Sequence, residues 1–265
     1  MLSECPNDER AGAGFPLLEI RDLVYVYPDQ TRALDGVSFS VPEGGRVALV
    51  GPNGSGKTTL LLHLNGLFLP QEGTVRVAGL AVSSRTVRET RRKVGLLFQD
   101  PDDQLFMPTL LEDVAFGPLN LGLAPELAKE RALTAIAAVR LSGKEERPPH
   151  ALSGGQKRLA ALAGLLSMNP QLLALDEPSA GLDPRARRGL AARLLEARAA
   201  LLVASHDLEF CLTLCDRAVV LDGGRVIREG PIQEVFSDSE FMLAHGLERP
   251  HSLDHLEGVH RHRDP

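Results

Sequence analysis

The sequence predicts an α/β protein with a mostly parallel sheet, an antiparallel β start and an inserted helical lobe, and three observations carry that prediction. Short, wholly apolar runs ("RVALVG", "LLALD", "ALLVAS") alternate with stretches of helical spacing, the pattern of parallel strands buried on both faces. "LLEIRDLVYVY" and "ALDGVSFSVPEGG" alternate apolar with polar residues across the short break "PDQT", which reads as an antiparallel pair. From about 105 to 167 the apolar positions fall three and four apart, as in "PELAKERALTAIAAV" and "GGQKRLAALAGLL", which makes that stretch a helical lobe within the sheet domain.

Residues 1–16 are rich in Gly, Pro and charge without periodicity and read as a flexible tail, so the folded domain is expected over 17–240. "RVALVG" runs through a glycine loop into "KTTLLLHLNGL", giving strand, loop and helix in succession. After the helical lobe comes the strand "QLLALDEP", then a helix "LDPRARRGLAARLLEAR" with Asp183 as N-cap and Pro184 at its first position. "ALLVASHD" is the next strand, and "RAVVLDGGRVIREG" reads as a hairpin with a Gly-Gly turn. Residues 241–265 read as a histidine-bearing tail. In such a sheet, ligands bind at the carboxyl ends of the strands.

The bulk numbers narrow the function. At 265 residues, 43% hydrophobic and 24% charged, the chain has the composition of a globular protein. A net charge of −6 argues against a broad nucleic-acid-binding face. The longest uncharged run, Leu159 to Leu175, is interrupted by Asn169, Pro170 and Gln171, so a spanning helix is not expected there, and the N-terminal residues lack the pattern of a secretion signal. Three cysteines without paired spacing point to a reducing, cytoplasmic setting.

"GPNGSGKT", Gly51 to Thr58, matches GxxxxGK(S/T) between a strand and a helix. Asn53, Gly54, Ser55, Gly56, Lys57, Thr58 and Thr59 are therefore candidates for holding a nucleotide. Glycines turn backbone N–H groups inward, the helix N-terminus adds positive potential, Lys57 reaches the β and γ phosphates, and the Thr58 hydroxyl ligates Mg²⁺. "LLALDEP" supplies the acids: Asp176 for the magnesium and Glu177 to orient or deprotonate an attacking water. In "LSGGQKR", Ser153 to Gln156 fit a capping box, yet Gly154 and Gly155 at a helix start also make a second phosphate nest. One nucleotide does not need two nests from one chain; two chains pairing head to tail would each offer "LSGGQ" to the other's nucleotide.

With these motifs the chain resembles the ATP-binding-cassette (ABC) ATPases, and the resemblance covers Leu17 to about Phe236. It implies ATP as substrate, Mg²⁺ as cofactor, and contacts from Ser153 and Gly155 to the γ-phosphate across a dimer. It also implies that Tyr27 in "VYVYPD" stacks on adenine and that Gln99 joins the metal and the water. By the same token Asp183 sits in a loop crossing the dimer and His206 in "VASHD" is the switch histidine. Tyr25, two residues earlier on the same strand face, competes with Tyr27; the position before Pro28 favours Tyr27.

"FQDPDDQLF", Phe98 to Phe106, together with "EDVAFGPLNLGL" is similar to the cassette subunits of energy-coupling factor importers. That resemblance implies a peripheral protein on the cytoplasmic face of the membrane. There it would work as a homodimer, with a heterodimer left open, and would meet a transmembrane coupling subunit and a substrate-binding membrane subunit through residues 99–121. On this reading Asp100, Asp102 and Asp103 face the partner's arginines while Leu105 and Phe106 line an apolar groove. Cobalt or nickel is the implied cargo, since "ERPPHALSGGQ" and "LAHGLE" look like that branch and four of the eight histidines fall in "HSLDHLEGVHRHRDP". A vitamin importer or a conventional importer is the alternative. A cassette ATPase acting on DNA or ribosomes is disfavoured by the single cassette, the absence of a CxxC pair and the absence of a basic stripe. Cys211 and Cys215, four apart on a helix, read as core residues rather than metal ligands.

Overall fold

The computed structural model describes residues 16–253. The chain runs β1 (Leu18–Val26), β2 (Arg32–Val41), β3 (Arg46–Val50), α1 (Lys57–Leu64), β4 (Glu72–Val77), β5 (Leu80–Ala81), α2 (Val87–Lys93) and β6 (Val94–Leu97). Three helices follow, α3 (Leu110–Asn120), α4 (Pro125–Ala138) and α5 (Gly154–Ser167), then β7 (Leu172–Asp176), α6 (Pro184–Glu196) and β8 (Ala200–Ala204). It closes with α7 (Leu208–Leu214), β9 (Arg217–Asp222), β10 (Arg225–Pro231), α8 (Ile232–Ser237) and α9 (Ser239–Ala244).

The apolar runs form a six-stranded sheet in the order β10-β9-β3-β8-β7-β6, parallel except for the edge strand β10. Because side chains alternate across a strand, each run feeds two cores. Val47, Leu49, Leu172, Ala174, Leu202 and Ala204 point to one face, where α1 and the antiparallel sheet β2-β1-β4-β5 cover them. Ala48, Val50, Leu173, Leu175, Leu201 and Val203 point to the other face, which helices α3 to α9 cover. The β1/β2 pairing is antiparallel, and the β9–β10 turn places Gly223 and Gly224 at φ +52° and +76°, the left-handed geometry that a tight hairpin requires. Asp183 caps α6 by accepting from the backbone N–H groups of Arg185 and Ala186.

Two features lay outside the sequence reading. The strands β4, β5 and β6 are too short or too polar to stand out by pattern; β4 joins β1 because Gly73 lets the chain approach Asp22, whose carbonyl oxygen lies 2.2 Å from where a Cβ would sit. The chain also keeps packing beyond 240, where the tail was expected to begin: Met242, Leu247 and Leu253 are buried in the helix-side core. Residues 1–15 of the expected N-terminal tail and 254–265 of the histidine-bearing segment fall outside the described residues. Among the described residues no helix is long and apolar enough to cross a membrane.

Candidate functional site

At the carboxyl end of β3 the loop Gly51–Gly56 turns the chain into α1. Gly51 is wedged against the β9–β10 hairpin: a Cβ there would lie 1.9 Å from the Leu221 carbonyl oxygen. Gly56, at φ +104°, is similarly pressed on the Ala33 carbonyl, so side chains are excluded at both ends of the loop. The Lys57 ammonium curls back over the loop, donating to the carbonyls of Gly51 (2.8 Å) and Pro52 (2.9 Å). Burial pulls its pKa down, and Glu177 and Asp176 pull it back up.

This loop floors a cleft of about 1010 Å³ that also takes in Tyr27, Gln99, Asp176, Glu177 and His206. Asn53, Gly54, Ser55, Thr58 and Thr59 line it with Lys57. The two tyrosines meet edge to face at 5.1 Å, but only Tyr27 borders the cleft. Tyr27 borders the cleft and its hydroxyl hydrogen-bonds the Thr59 hydroxyl at 2.9 Å, whereas Tyr25 stacks on Phe68 at 4.8 Å with its edge toward His63. A segment that sequence reasoning missed, Gly246 to His251, forms another wall of the cleft. It is anchored by His245 to Asp222 (2.8 Å) and by Ser252, which donates through its hydroxyl and its backbone N–H to the Glu209 carboxylate.

Asp176 ends β7 and is buried; its pKa is raised, mainly by burial, with the Thr58 hydrogen bond acting in the other direction. Glu177 follows with φ +46°, a left-handed conformation uncommon for a residue with a side chain. Its carboxylate accepts from the Ser205 hydroxyl (2.8 Å) and the His206 backbone N–H (3.0 Å), and lies 2.9 Å from His206 Nδ1. Glu177 is only 8% exposed, while the His206 side chain is 70% exposed. Ser205, buried beside the base candidate, was not singled out from sequence; its place between Ala204 and His206 in "VASHD" was the available signal.

The acidic stretch after Gln99 is tied to its own chain. Asp100 caps a short 3₁₀ turn by accepting from the Asp102 N–H, and Asp102 forms an ion pair with Lys157 of α5 at 2.6 Å. Two of the three aspartates thus have partners inside the chain, and the Asp102 side chain remains 62% exposed. Gln104 accepts from the Phe98 N–H and donates to the Ala161 carbonyl, again tying the stretch to α5. Leu105 packs half-buried on the core. Phe106 is 62% exposed and meets Phe116 edge to face at 4.9 Å, with exposed Leu119 on the same helix α3 as Phe116.

Ser153, Gly154, Gly155, Gln156 and Asp183 are not brought to the cleft. Ser153 and Gln156 form both halves of a capping box, the Ser153 oxygen accepting from the Gln156 N–H and the Gln156 side chain from the Ser153 N–H. Cys211 and Cys215 are buried in the core; burial raises both thiols, Cys215 to about 12, and no metal-holding cluster occurs among the described residues.

The family model of the ABC transporter matches residues 34–180. The chain is 46% identical over 245 residues to the energy-coupling factor transporter ATP-binding protein EcfA of Methanothermobacter thermautotrophicus, covering 91% of this chain and 79% of that protein. It is similar to the structure of cbiO1 from Clostridium perfringens, described as part of the ABC transporter complex cbiONQ. The TM-score is 0.76 at 34% identity, over 91% of this chain and 99% of that one. A dimeric cassette, MJ0796, in a post-hydrolysis state bound to ADP and Pi matches at TM-score 0.74 and 27% identity, over 81% and 98% of the two chains.

Proposed function

This chain belongs to the ABC transporter family as one of its ATP-hydrolysing cassettes, and from that premise we propose that it powers an energy-coupling factor importer of cobalt or nickel ions. The observation that carries the importer reading is the exposed apolar patch Phe106, Phe116 and Leu119, joined by the Gln99 loop to the nucleotide cleft. A transmembrane coupling subunit docking there, on the cytoplasmic face of the membrane, would sense the state of the site through residues 99–121. The likeness to EcfA and to cbiO1 supports the same class of machine.

The cleft suits Mg·ATP. Tyr27 offers a ring for the adenine, and the loop N–H groups with Lys57 face the phosphates. Mg²⁺ fits the donor set: a buried carboxylate whose ionised form burial disfavours (Asp176), a hydroxyl (Thr58) and an amide oxygen (Gln99), all hard oxygen donors of one cleft. When bound, the ion supplies charge stabilisation to the phosphoryl group. Glu177 takes the proton of the attacking water, held in place by Ser205 and His206, and His206 reaches toward the γ-phosphate from its exposed position. Ser153 and Gly155 lie outside this cleft, so we assign them to the nucleotide of a second copy, in a homodimer with two competent sites.

Uptake of labelled cobalt and nickel by liposomes carrying the co-purified complex, with and without ATP, tests the cargo. ATP-dependent accumulation is expected. A complex that hydrolyses ATP and accumulates neither ion moves the assignment to a vitamin importer.

A further inference from the structure

We propose that Arg158 is a positioning residue for ATP hydrolysis: one guanidinium rooted in the helical lobe clamps the backbone carbonyls of Gln99 and Glu177 and fixes both to α5. The inference rests on the assignment of Glu177 and Gln99 made above. Arg158 Nη1 donates to the Glu177 carbonyl at 2.6 Å, and Nη2 donates to the Gln99 carbonyl at 3.0 Å. Those carbonyls follow the carboxyl ends of the neighbouring parallel strands β7 and β6, so a single side chain spans the two strand ends that carry the reactive groups.

Three features argue that this geometry serves the site rather than the fold alone. Arg158 is 8% exposed; among the described residues it forms no direct ion pair, and the charges of Asp100, Glu177 and Asp176 offset only part of the effect of its burial. A buried cation without a direct counter-ion is an unfavourable way to secure a helix, whereas a planar fork with donors at fixed spacing is well suited to setting the separation of two acceptors. Glu177 holds its left-handed backbone through four sets of contacts: its N–H donates to the Ala204 carbonyl, its carboxylate accepts from Ser205 and His206, and its carbonyl accepts from the Ala180 N–H at 3.1 Å and, more closely, from Arg158 at 2.6 Å. Only the last of these comes from the helical lobe. Finally, the neighbouring links from α5, Lys157 to Asp102 and Ala161 to Gln104, reach the same loop, but the Lys157 pair is at the surface, where such pairs hold weakly. Arg158 is the buried connection, and it alone reaches both carbonyls.

Arg158→Lys keeps the charge but concentrates its donors at one point, so it cannot span the two carbonyls. A misplacement of about 1 Å at a reacting group costs on the order of 10²-fold in rate. In the full chain, Arg158→Lys is therefore expected to lower kcat by ~10- to 100-fold with KM and the Kd for ATP changed less than ~3-fold, and with the melting temperature close to that of the parent. Arg158→Ala is expected to behave likewise; should it fail to fold, Arg158→Lys carries the test. Turnover by Arg158→Lys within about twofold of the parent overturns the proposal, and so does a loss shared equally between kcat and ATP affinity, which is the signature of a structural role. Glu177→Gln measured alongside separates the two levels. If that variant hydrolyses ATP normally, the site assignment fails and the proposal with it; if it is inactive while Arg158→Lys runs at full rate, the Arg158 role alone is wrong.

Discussion

Replacing Glu177 by Gln probes the candidate base with little disturbance around it. The carboxylate accepts from the Ser205 hydroxyl and the His206 N–H, and faces His206 Nδ1. A glutamine keeps one oxygen for the His206 N–H and turns an amide toward Ser205, so at most one hydrogen bond is lost, about 1 kcal/mol of stability. The chemistry fares differently. Removing a general base costs roughly 10²- to 10⁴-fold in rate, about 2.7–5.4 kcal/mol of transition-state stabilisation. Steady-state hydrolysis, ATP binding by calorimetry and ATP-dependent dimerisation by size exclusion measure the three parts. The variant is expected to bind ATP within about threefold of the parent and to accumulate as a closed dimer. Hydrolysis at the parent rate would show that Glu177 does not deprotonate the water, and the proton-transfer role would have to be withdrawn.

Two further expectations rest on other parts of the chain. Gly51→Ala drives a Cβ into the Leu221 carbonyl and is expected to abolish ATP binding, whereas Gly54→Ala, where no atom lies within 4 Å of the new Cβ, meets only the left-handed penalty of ~1–2 kcal/mol and retains binding; equal behaviour of the two in a binding titration contradicts the packing argument. Asp35 accepts from Arg225 and Arg32, and those bonds hold its pKa below the usual carboxylate value. A depressed acid stabilises the fold above its unfolded pKa of about 3.9 and loses that contribution as pH falls through the lower folded value, so the melting-temperature gap between the parent and Asp35→Asn should be open at pH 7 and close below about pH 4. A gap that does not change with pH refutes the linkage.

The glycine loop, the strand before it and the helix after it were legible because their geometry is local: contiguous residues set the turn, and only small ones fit it. The same holds for the Asp183 cap, the Gly-Gly hairpin and the alternation that splits each buried strand between two cores. The intrachain partners of the acidic stretch on α5 were not legible, because they lie far away in sequence. Asp102 meets Lys157, 55 residues on, and no periodicity in the sequence announces that pairing. Tyr25 and Tyr27 both join an aromatic cluster around Phe68, and only the fold shows that Tyr27 is the one that also borders the cleft. The Gly246–His251 wall and the Arg158 clamp were invisible for the same reason. What the sequence by itself determined is the chemistry of the site, since that depends on residue type and on backbone turns made by adjacent residues. What only the tertiary structure decided is which distant groups steady that chemistry: the sheet brings the ends of β6 and β7 side by side, and there a helix residue 59 positions from Gln99 and 19 from Glu177 reaches both.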